Sequence, residues 1–406
     1  MKILNYGVNY APELTGIGKY SGEMAVWLAE QGYEVRVVTA PPYYPEWKVD
    51  TAYANTYRKE VLDDVQVHRY PLYVPEKPSG LKRIIHLASF AFSSFPVMLR
   101  QVFWKPDVVM VIEPPLFCAP MAWLTARLSG GKCWLHIQDF EVDAAFDLGI
   151  IPFAWMKSTV LLVERWLTKR FDAVSTISQS MMIRSQDKGV KAPVFFPNWA
   201  DLSNIQYDEV GRQSFRAEHY ISDEKVLCLY SGNIAVKQGL NTVLEAANLL
   251  PSIQFMICGE GANKQNIEAR SREMRLHNVM FFPLQALDRL AAMLRAADIH
   301  MVIQKTEAAD LVLPSKLTNI LAVGGVAIVT AKQDTELGQL GQGDSPCVYR
   351  CEPENKGSLV SAIQRLADDA ELRVLIQHHA LLYAKQYIDK QQVLAVLEPQ
   401  LLEVKQ

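Results

Sequence analysis

The chain has 406 residues, of which 50% are apolar and 21% are charged, a composition that excludes a disordered or fibrous protein. Domains average roughly 150 residues, so this length predicts two domains of about 200 residues each. The 41 basic and 44 acidic residues leave a formal net charge of −3, which argues against a nucleic-acid partner held by bulk electrostatics.

Cysteine usage and the first residues both bear on the cellular compartment. Six cysteines are too few to cross-link a chain of this length, and no Cys-x-x-Cys pair offers a zinc or redox site. The N-terminal run MKILNYGVNYAPE is interrupted by Asn5 and Asn9, which does not fit a signal peptide. The sequence therefore predicts a reduced, cytoplasmic protein.

The first forty residues predict a strand, a loop, a helix and a second strand. KILNYGVNY is short and β-rich, ELTGIGKYSGEMAVWLAEQG has helical apolar spacing with a stop at Gly32, and YEVRVVTA is rich in β-branched residues. This compact order favours a parallel βαβ unit. Three further apolar runs, KPDVVMVIEPP, KCWLHIQDF and FDAVSTIS, predict more buried strands that end in polar or proline-containing loops.

The segment between Arg83 and Arg100, IIHLASFAFSSFPVML, contains no Asp, Glu, Lys or Arg. A helix that spans a bilayer needs about 20 apolar residues, so this stretch is too short and too polar for a transmembrane span. Two interpretations stay open: a buried crossover helix, or a helix over 81–104 that rests on an anionic membrane between flanking cations. The apolar positions on one helical face are Leu81, Ile84, Ile85, Ala88, Phe92, Phe95 and Leu99, and the flanking cations are Lys82, Arg83, Arg100 and Lys105.

The periodic pattern fades between Phe196 and Glu224, which predicts a connection with one short helix. It then returns: KVLCLYSGN, IQFMICGEG, NVMFFP, DIHMVIQ and VAIVT predict strands, while LNTVLEAANLL, LDRLAAMLRAA and LPSKLTNILAVGG predict helices between them. The tail from Lys356 is helical throughout. We therefore expect an α/β fold with two doubly wound, Rossmann-like halves.

Ligands of parallel sheets bind beyond the carboxyl ends of the strands, so the loops that follow the strands are where a binding site is expected. The loop after the first strand carries Gly16 and Gly18 ahead of a helix N-terminus, where a backbone can approach an anion closely. The second strand ends in VVTAPPYYPEW, without the acidic residue that would hold a ribose. A nicotinamide-dependent dehydrogenase is therefore disfavoured.

The second half carries stronger signs of phosphate binding. Three strand-to-helix junctions combine glycine or lysine with free backbone N–H groups. They contain Gly232, Asn233, Lys237 and Gly239 in SGNIAVKQGL, Gly259 and Gly261 in CGEG, and Pro314, Ser315 and Lys316 in LPSKL. Two lysines suit a diphosphate, although a single lysine is more often a solvated surface charge. There is no Asp-x-Asp motif and no histidine cluster, so we expect charge neutralisation without a metal ion.

Titratable residues follow or end strands in both halves. His136 and Asp139 lie in HIQDF, where a hydrogen-bonded core histidine is the alternative to a functional one. Glu307 and Asp310 supply carboxylates just before the predicted phosphate helix, and exposed loop acids are the alternative for both.

These motifs resemble the GT-B-fold, family-4 glycosyltransferases over essentially the full length of the chain. The resemblance rests on the glycine-rich first loop, on HIQD, STIS, FFPNW, SGNIAVKQG and CGEG, and on the helix PSKLTNILAVGG. It implies two Rossmann-like domains that face each other across a cleft. The implied ranges are an acceptor-binding domain over 1–205, a nucleotide-sugar-binding domain over 206–385, and a C-terminal helix over 386–406 that packs back on the first domain.

The resemblance also implies roles for the residues above. The implied catalytic residues are His136, Lys237 and Asp310, with Lys237 neutralising the donor diphosphate. The implied donor site comprises Gly16, Gly18, Gly232, Asn233, Lys237, Gly259, Gly261, Gln285, Pro314, Ser315, Lys316 and Asn319. His136 and Asp139 would contact the acceptor.

Two departures from the family pattern bear on the donor site. Many members have a basic residue where this chain has Asn233, and many have paired glutamates where it has Leu311 and Asn319. Asp310 is therefore expected ahead of Glu307 as the acidic donor contact. Neutral Asn319 can still hydrogen-bond ribose hydroxyls.

The reaction that the resemblance implies is a retaining transfer without a metal or other cofactor. The expected donor is GDP-fucose and the expected acceptor a polyprenyl-diphosphate-linked saccharide, in colanic-acid-type exopolysaccharide synthesis on the inner face of a bacterial plasma membrane. Three alternatives stay open. They are a transferase that uses a UDP-linked (N-acetyl)deoxysugar in O-antigen or capsule synthesis, a sugar-nucleotide epimerase, and a catalytically silent scaffold.

Overall fold

The computed structural model describes residues 1–13, 16–76, 79–147, 154–202, 209–285, 287–305 and 314–405. The chain forms two compact units, one made of Met1–Pro197 with Leu394–Gln406 and the other of Asn198–Val393. The sequence and its resemblance predict the corresponding divisions at 205/206 and 385/386.

A twisted sheet of eight described strands forms the centre of the first unit. Its strands are β1 (Lys2–Tyr6), β2 (Glu34–Thr39), β3 (Arg58–Leu62), β4 (Val65–Arg69), β5 (Val108–Glu113), β6 (Lys132–Ile137), β7 (Ala173–Thr176) and β8 (Val194–Phe195). Their order is β3-β4-β2-β1-β5-β6-β7-β8, and all neighbours are parallel except β3 and β4. The predicted apolar runs form β1, β2, β5, β6 and β7, which are largely buried because helices cover both faces of a parallel sheet.

The helices of the first unit divide between the two faces of this sheet. They are α1 (Gly16–Glu30), α2 (Gly80–Gln101), α3 (Ala119–Ser129), α4 (Glu141–Asp147), α5 (Ala154–Thr168) and α6 (Gln179–Asp187). One core cluster joins the strands to Phe90 and Met98 of α2, Met121 of α3 and Leu167 of α5, and it contains no residue of α1. Hence α2, α3 and α5 belong to one helical layer, and α1 covers the opposite face.

Helix α2 contains the apolar segment whose environment the sequence left open. It buries His86, Phe90 and Met98 against the sheet, whereas Phe92 is 80% exposed. Leu81, Ile85 and Phe95 are exposed on the same outward side. Helix α2 therefore packs on the core, but not through the predicted apolar stripe. The interpretation that this stripe is buried is wrong, because a different face of the helix contacts the sheet. No helix among the described residues is long and apolar enough to cross a bilayer.

The strands β3 and β4 form an antiparallel hairpin that the sequence analysis did not predict. Asp63 and Asp64 connect them with positive φ angles of 48° and 62°. Positive φ at both central residues defines the type I′ turn that matches the twist of a hairpin. Asp-Asp is a weak signal for this turn compared with Asn-Gly, so local sequence does not reveal the hairpin.

The second unit contains a parallel sheet of six described strands. They are β9 (Leu227–Ser231), β10 (Gln254–Cys258), β11 (Val279–Phe282), β12 (Ile299–Val302), β13 (Ala327–Thr330) and β14 (Tyr349–Cys351), in the order β11-β10-β9-β12-β13-β14. The described helices are α7 (Glu209–Glu218), α8 (Asn241–Leu249), α9 (Lys264–Glu273), α10 (Leu287–Ala296), α11 (Ser315–Ala322), α12 (Glu336–Gln339), α13 (Lys356–Asp368) and α14 (Ala370–Tyr383). Separate core clusters lie on the two faces of the sheet.

The short helix predicted in the connection is α7, and a buried arginine fixes it to the second unit. The guanidinium of Arg216 donates to the carbonyl oxygens of Ala296 at 2.8 Å and Lys225 at 2.6 Å, and it pairs with Asp298 at 3.2 Å. These bonds satisfy most of the donors of a side chain that is only 1% exposed.

The last helix, α15 (Lys390–Lys405), begins in the second unit and ends in the first. Within the first unit, the hydroxyl of Tyr33 bonds to Glu398, and Lys405 pairs with Asp107 at 3.0 Å. Leu394, Leu397 and Leu401 are fully buried. This is the C-terminal return to the first domain that the resemblance implies.

Each sheet has one topological switch point, where the strand order reverses direction. It lies between β1 and β5 in the first unit and between β9 and β12 in the second. Ligands of open parallel sheets bind beyond the carboxyl ends of the strands at such points. The loops after these strands are therefore where a site is expected.

Candidate functional site

The glycine-rich loops of the second unit pack against each other at the carboxyl edge of its sheet. A β-carbon on Gly259 would fall 1.9 Å from the carbonyl oxygen of Gly232, and one on Gly261 would fall 2.4 Å from that of Ile234. Both glycines also have positive φ angles, 156° and 152°. Only glycine allows this approach, so the CGEG motif joins the loop after β10 to the loop after β9.

Lys316 reaches the same corner from the first turn of α11. Its Nζ lies 4.0 Å from the centre of the Tyr230 ring, and a β-carbon on Gly232 would fall 3.1 Å from that Nζ. Tyr230 is fixed by its hydroxyl, which donates to the carbonyl oxygen of Asn233 at 2.6 Å. A cation, a glycine turn and a helix N-terminus therefore converge near the switch point between β9 and β12.

The chemistry of this corner favours an anion. The first turn of α11 contains no acidic residue, and Ser315 presents an exposed hydroxyl there. Helix N-termini stabilise negative charge through their free N–H groups, and an ammonium group adds to that effect. The corner can therefore stabilise a phosphate group on which negative charge develops as a bond breaks.

The structure brings together part of the predicted donor set. Gly232, Asn233, Gly259, Gly261 and Lys316 share this corner. Three further predicted members belong to the same unit: Pro314 precedes α11, Asn319 lies in α11, and Gln285 follows β11 with its side-chain amide donating to the Pro283 carbonyl oxygen at 3.1 Å. Gly16 and Gly18 lie in the first unit.

Several predicted residues lie outside the described part of the structure. Glu307, Asp310 and Leu311 belong to the undescribed range 306–313. The backbone of Lys237 forms part of the short turn Val236–Gln238, but its side chain is outside the description as well. Their roles stay predictions.

No group of three or more His, Cys, Asp or Glu side chains among the described residues is arranged to hold a metal ion.

In the first unit, Glu13 organises the loop after β1. Its Oε1 accepts the N–H groups of Tyr43 and Tyr44, both at 3.1 Å, and its Oε2 accepts the Asn9 side-chain amide at 2.9 Å. A β-carbon on Gly18 would fall 2.4 Å from Glu13 Oε2. Gly18 therefore makes room for a carboxylate of the protein itself, a local requirement that the sequence analysis did not anticipate.

The neighbouring glycine and a buried arginine complete this loop. Gly16 has a φ of 63°, and a β-carbon there would lie 3.6 Å from the Tyr44 ring. The guanidinium of Arg69 donates to the carbonyl oxygens of Ala11 at 2.6 Å and Ala40 at 3.0 Å. The loops after β1 and β2 are thus held together before any ligand binds.

His136, one residue before the end of β6, is a buried, neutral imidazole. Its Nδ1 lies 2.8 Å from Ser175 Oγ and its Nε2 lies 3.2 Å from Gln138 Nε2. Burial lowers the pKa of His136 to about 3. This environment favours the hydrogen-bonded core alternative for His136, and its catalytic role stays a prediction. Asp139, the other predicted acceptor contact, is exposed in the following loop.

A buried carboxyl group that the sequence analysis missed ends β5 at the switch point. Glu113 is 1% exposed, and its Oε1 has no hydrogen-bond partner among the described residues. Burial raises the pKa of Glu113 well above its usual range, and the nearby carboxylate of Glu141 adds to that rise. Glu141 itself accepts the Leu116 N–H at 2.9 Å. Glu113 is therefore expected to be protonated in the folded protein at mildly acid pH.

Glu113→Gln is expected to increase the free energy of unfolding at neutral and alkaline pH. A raised pKa means that the folded state holds a proton that the unfolded chain releases, so stability falls as pH rises above the unfolded value near 4.5. Glutamine keeps the shape and removes this cost. Chemical denaturation should show an advantage of the variant that grows from about pH 5 upward, and an advantage independent of pH would contradict a protonated Glu113.

His136→Gln is expected to weaken the acid sensitivity of the protein. The lowered pKa of His136 stabilises the fold above the unfolded pKa near 6.5, and this contribution is lost as pH falls toward 3. The pH slope of the unfolding free energy between about 6.5 and 4.5 should decrease by up to about 1.4 kcal/mol per pH unit in the variant. Equal slopes in denaturant titrations would contradict a neutral buried His136.

Three residues that the sequence analysis did not single out, and that lie at the strand ends described above, can be recognised from their sequence context. Glu13 stands just before the TGIG loop, Glu113 is an acid that ends the apolar run VVMVI, and Tyr230 lies two residues before Gly232. An acid at the end of a buried strand is the most useful of these signals, because strand ends carry function in parallel sheets.

Two protein-family models match the chain, one on each side of residue 205. "Glycosyl transferase 4-like domain" matches residues 15–199, and "Glycosyl transferases group 1" matches residues 211–380.

Individual proteins extend this similarity. The chain is 47% identical over 407 residues to a colanic acid biosynthesis glycosyl transferase, WcaI, of Escherichia coli (strain K12), with 97% of this chain and 98% of that protein covered. Sucrose-phosphate synthase from Thermosynechococcus elongatus has a similar structure, with a TM-score of 0.76, 16% identity, and 100% and 99% of the two chains covered. Anabaena HepE in complex with UDP has a TM-score of 0.72 at 13% identity, with 99% and 100% covered. These two structures share the fold of two parallel-sheet α/β domains.

Proposed function

Because the chain belongs to the GT-B-fold, family-4 glycosyltransferases, close to WcaI, we propose that it transfers a deoxy-sugar from a nucleotide donor to a lipid-linked saccharide in exopolysaccharide synthesis. The identity to WcaI along nearly the whole chain supports a role in a colanic-acid-type polymer. The observation that carries the proposal is the convergence of Lys316, Gly232 and the first turn of α11 at the switch point of the second unit.

The donor of this proposal is GDP-fucose, held through its diphosphate. The alternative is a UDP-linked (N-acetyl)deoxysugar, and the likeness to HepE, whose structure contains UDP, favours testing that nucleotide. A ligand that binds only the folded state raises the midpoint of thermal unfolding in proportion to the logarithm of its concentration. Titration with GDP and UDP should give the larger shift with GDP, and a larger shift with UDP would replace GDP-fucose by the alternative.

The proposed chemistry is a retaining transfer driven by stabilisation of the leaving group. The bond between the sugar and the diphosphate breaks, and the acceptor oxygen forms its new bond on the same face of the sugar. The acceptor proton goes to the departing phosphate oxygen, so no strong protein base is required. Lys316 and Lys237 would stabilise the charge on the diphosphate, without a metal. NMR of the initial product tests the stereochemistry: inversion at the anomeric carbon would overturn this mechanism.

The acceptor of the proposal is a saccharide carried on a polyprenyl diphosphate at the inner face of the plasma membrane. Support comes from α2, which exposes Phe92 and Phe95 and also carries the exposed cations Lys82, Arg83 and Arg100. A helix with this pattern binds anionic lipid surfaces. Replacing the three cations by glutamate should release the protein from anionic vesicles, and unchanged retention would contradict the membrane contact by α2.

A second candidate function is that of a catalytically silent scaffold. It is favoured by Asn233 and Asn319, which replace residues usual in the family. Calorimetry and an activity assay separate the two functions. Nucleotide-sugar binding together with transfer to a lipid-linked acceptor supports the enzyme. Binding without transfer to any acceptor favours the scaffold, and slow donor consumption without an acceptor would favour an epimerase.

A further inference from the structure

The outward side of a whole helical layer in the first unit is apolar, not only that of α2. Large apolar side chains are exposed on α5 as well, with Leu162 at 65%, Val163 at 56% and Trp166 at 57%. Helix α3 adds Leu128, and the turn before it adds Phe117. In contrast, every large apolar side chain of α1, on the opposite face of the sheet, is at least partly buried. Between these two helical layers, the exposed apolar side chains are concentrated on the layer of α2, α3 and α5, although Val61 of β3 and Val396 of α15 are exposed elsewhere in the unit.

A stack of side chains joins α3 to α5. The guanidinium of Arg170 lies 3.8 Å from the centre of the Trp166 ring and 5.4 Å from that of Trp123 in α3. Buried residues of α2, α3 and α5 also share one core cluster. The three helices therefore present a continuous surface, and the tryptophan and arginine side chains combine an apolar body with a polar tip, as in proteins that contact the bilayer interface.

The charge on these three helices is positive, while the neighbouring α6, which shares their core cluster through Met181, ends in the exposed acid Asp187. Exposed cations lie on all three helices, and no described side chain of α2, α3 or α5 is an exposed acid. The single acid of α5, Glu164, is buried and bonded to Lys188 Nζ at 2.6 Å. The exposed cations are Lys82, Arg83, Arg100, Arg127 and Arg165, of which Arg127 also pairs with Asp172 at 3.7 Å.

We infer that α2, α3 and α5 together form one docking face for an anionic lipid bilayer, so that the first unit rests on the membrane through three helices. A surface that combines large exposed apolar side chains with an excess of cations matches the headgroup region of such a bilayer better than it matches a second copy of this chain, which would place like net charges opposite each other. This inference rests on the proposed function and extends its membrane contact from α2 to α3 and α5.

The test compares vesicle binding of variants in α5 while α2 stays intact. In Val163→Glu/Trp166→Glu, the retained fraction on phosphatidylglycerol-containing vesicles should fall about tenfold, because two acids replace exposed apolar groups at an anionic surface. Arg165→Glu is the milder variant and should reduce retention severalfold. The matched control, Val374→Glu/Leu375→Glu, changes two exposed apolar residues of α14 in the second unit and should bind as the parent does.

Each outcome decides the inference. Parent-like retention of both α5 variants would overturn it and leave α2 as the contact. Equal binding of the parent to phosphatidylcholine vesicles would overturn the charge argument. A concentration-dependent dimer in sedimentation that the α5 variants abolish would assign the face to a second copy. Far-UV circular dichroism and the midpoint of thermal unfolding show whether the first unit of each variant is folded. If the parent protein transfers no sugar when it is assayed in detergent, the proposed function is contradicted. The result of the vesicle-binding experiment would still stand.

Discussion

Lys316→Met is expected to lower kcat at least about 100-fold, because removal of a preorganised charge from a site of developing negative charge costs about 10² to 10³ in rate. The Nζ of Lys316 lies beside Gly232 and over the ring of Tyr230, at the first turn of α11. Methionine keeps the aliphatic stem that packs there, so the free energy of unfolding should change by less than about 1.5 kcal/mol. Steady-state kinetics with a nucleotide sugar and denaturant titration measure the two quantities.

Two further variants make this result specific. Lys356→Met removes an exposed lysine from the first turn of α13, away from the glycine loops, and should leave kcat unchanged. Lys237→Ala tests the second predicted phosphate contact and should also reduce turnover by about 100-fold or more if that side chain meets the leaving group. A decrease below tenfold in Lys316→Met would remove this corner from the proposed mechanism.

Gly259→Ala is expected to have the largest effect on stability of any single methyl group added to the second unit. The new β-carbon would lie 1.9 Å from the Gly232 carbonyl oxygen, which belongs to backbone that cannot rotate away. Either the loops after β9 and β10 separate or the strand ends shift, so we expect a loss of more than about 3 kcal/mol in the free energy of unfolding. Thermal and denaturant unfolding monitored on the whole chain measure this loss, and nucleotide-induced stabilisation should disappear with it.

The matched control is Gly343→Ala, also in the second unit. Gly343 has a φ of 76°, but an added β-carbon there meets no atom within 4 Å. Its substitution therefore tests backbone strain without a clash and should cost only about 1 kcal/mol. Similar losses in both variants would show that contact between the two loops is not what requires Gly259.

The fold could be predicted where local patterns and global topology agree. The apolar runs that became β1, β2, β5, β6 and β7 are continuous, as strands buried on both faces must be, and helices with stops at glycine separate them. The order of these elements favours parallel βαβ units and therefore places functional loops at one edge. Gly232, Gly259 and Gly261 were recognisable because glycine directly after a strand is typical of a backbone that approaches an anion or a second loop closely.

Other features depend on contacts that no local pattern records. The β3–β4 hairpin depends on two aspartates with positive φ, which their sequence barely signals. The burial of His136 arises from a neighbour distant in sequence, Ser175. Gly18 and Glu13 are close in sequence, but their contact appears only in the folded loop after β1. For α2, the sequence shows an apolar stripe but not which side of the helix meets the sheet, since His86 and Ser94 are buried while Phe92 is exposed. Tertiary packing decided each of these points.

The return of α15 to the first unit has a consequence for biosynthesis and for engineering. Because Leu394–Gln406 supplies fully buried leucines to a unit whose other residues all precede Asn198, that unit acquires this buried surface only after residues 394–406 have been synthesised. A stop codon near residue 390, or a bulky fusion that disturbs Leu401, would therefore destabilise the amino-terminal unit. Most of the sequence of the carboxyl-terminal unit would still be present. An isolated fragment of residues 1–197 would be expected to aggregate unless residues 394–406 are supplied as a peptide.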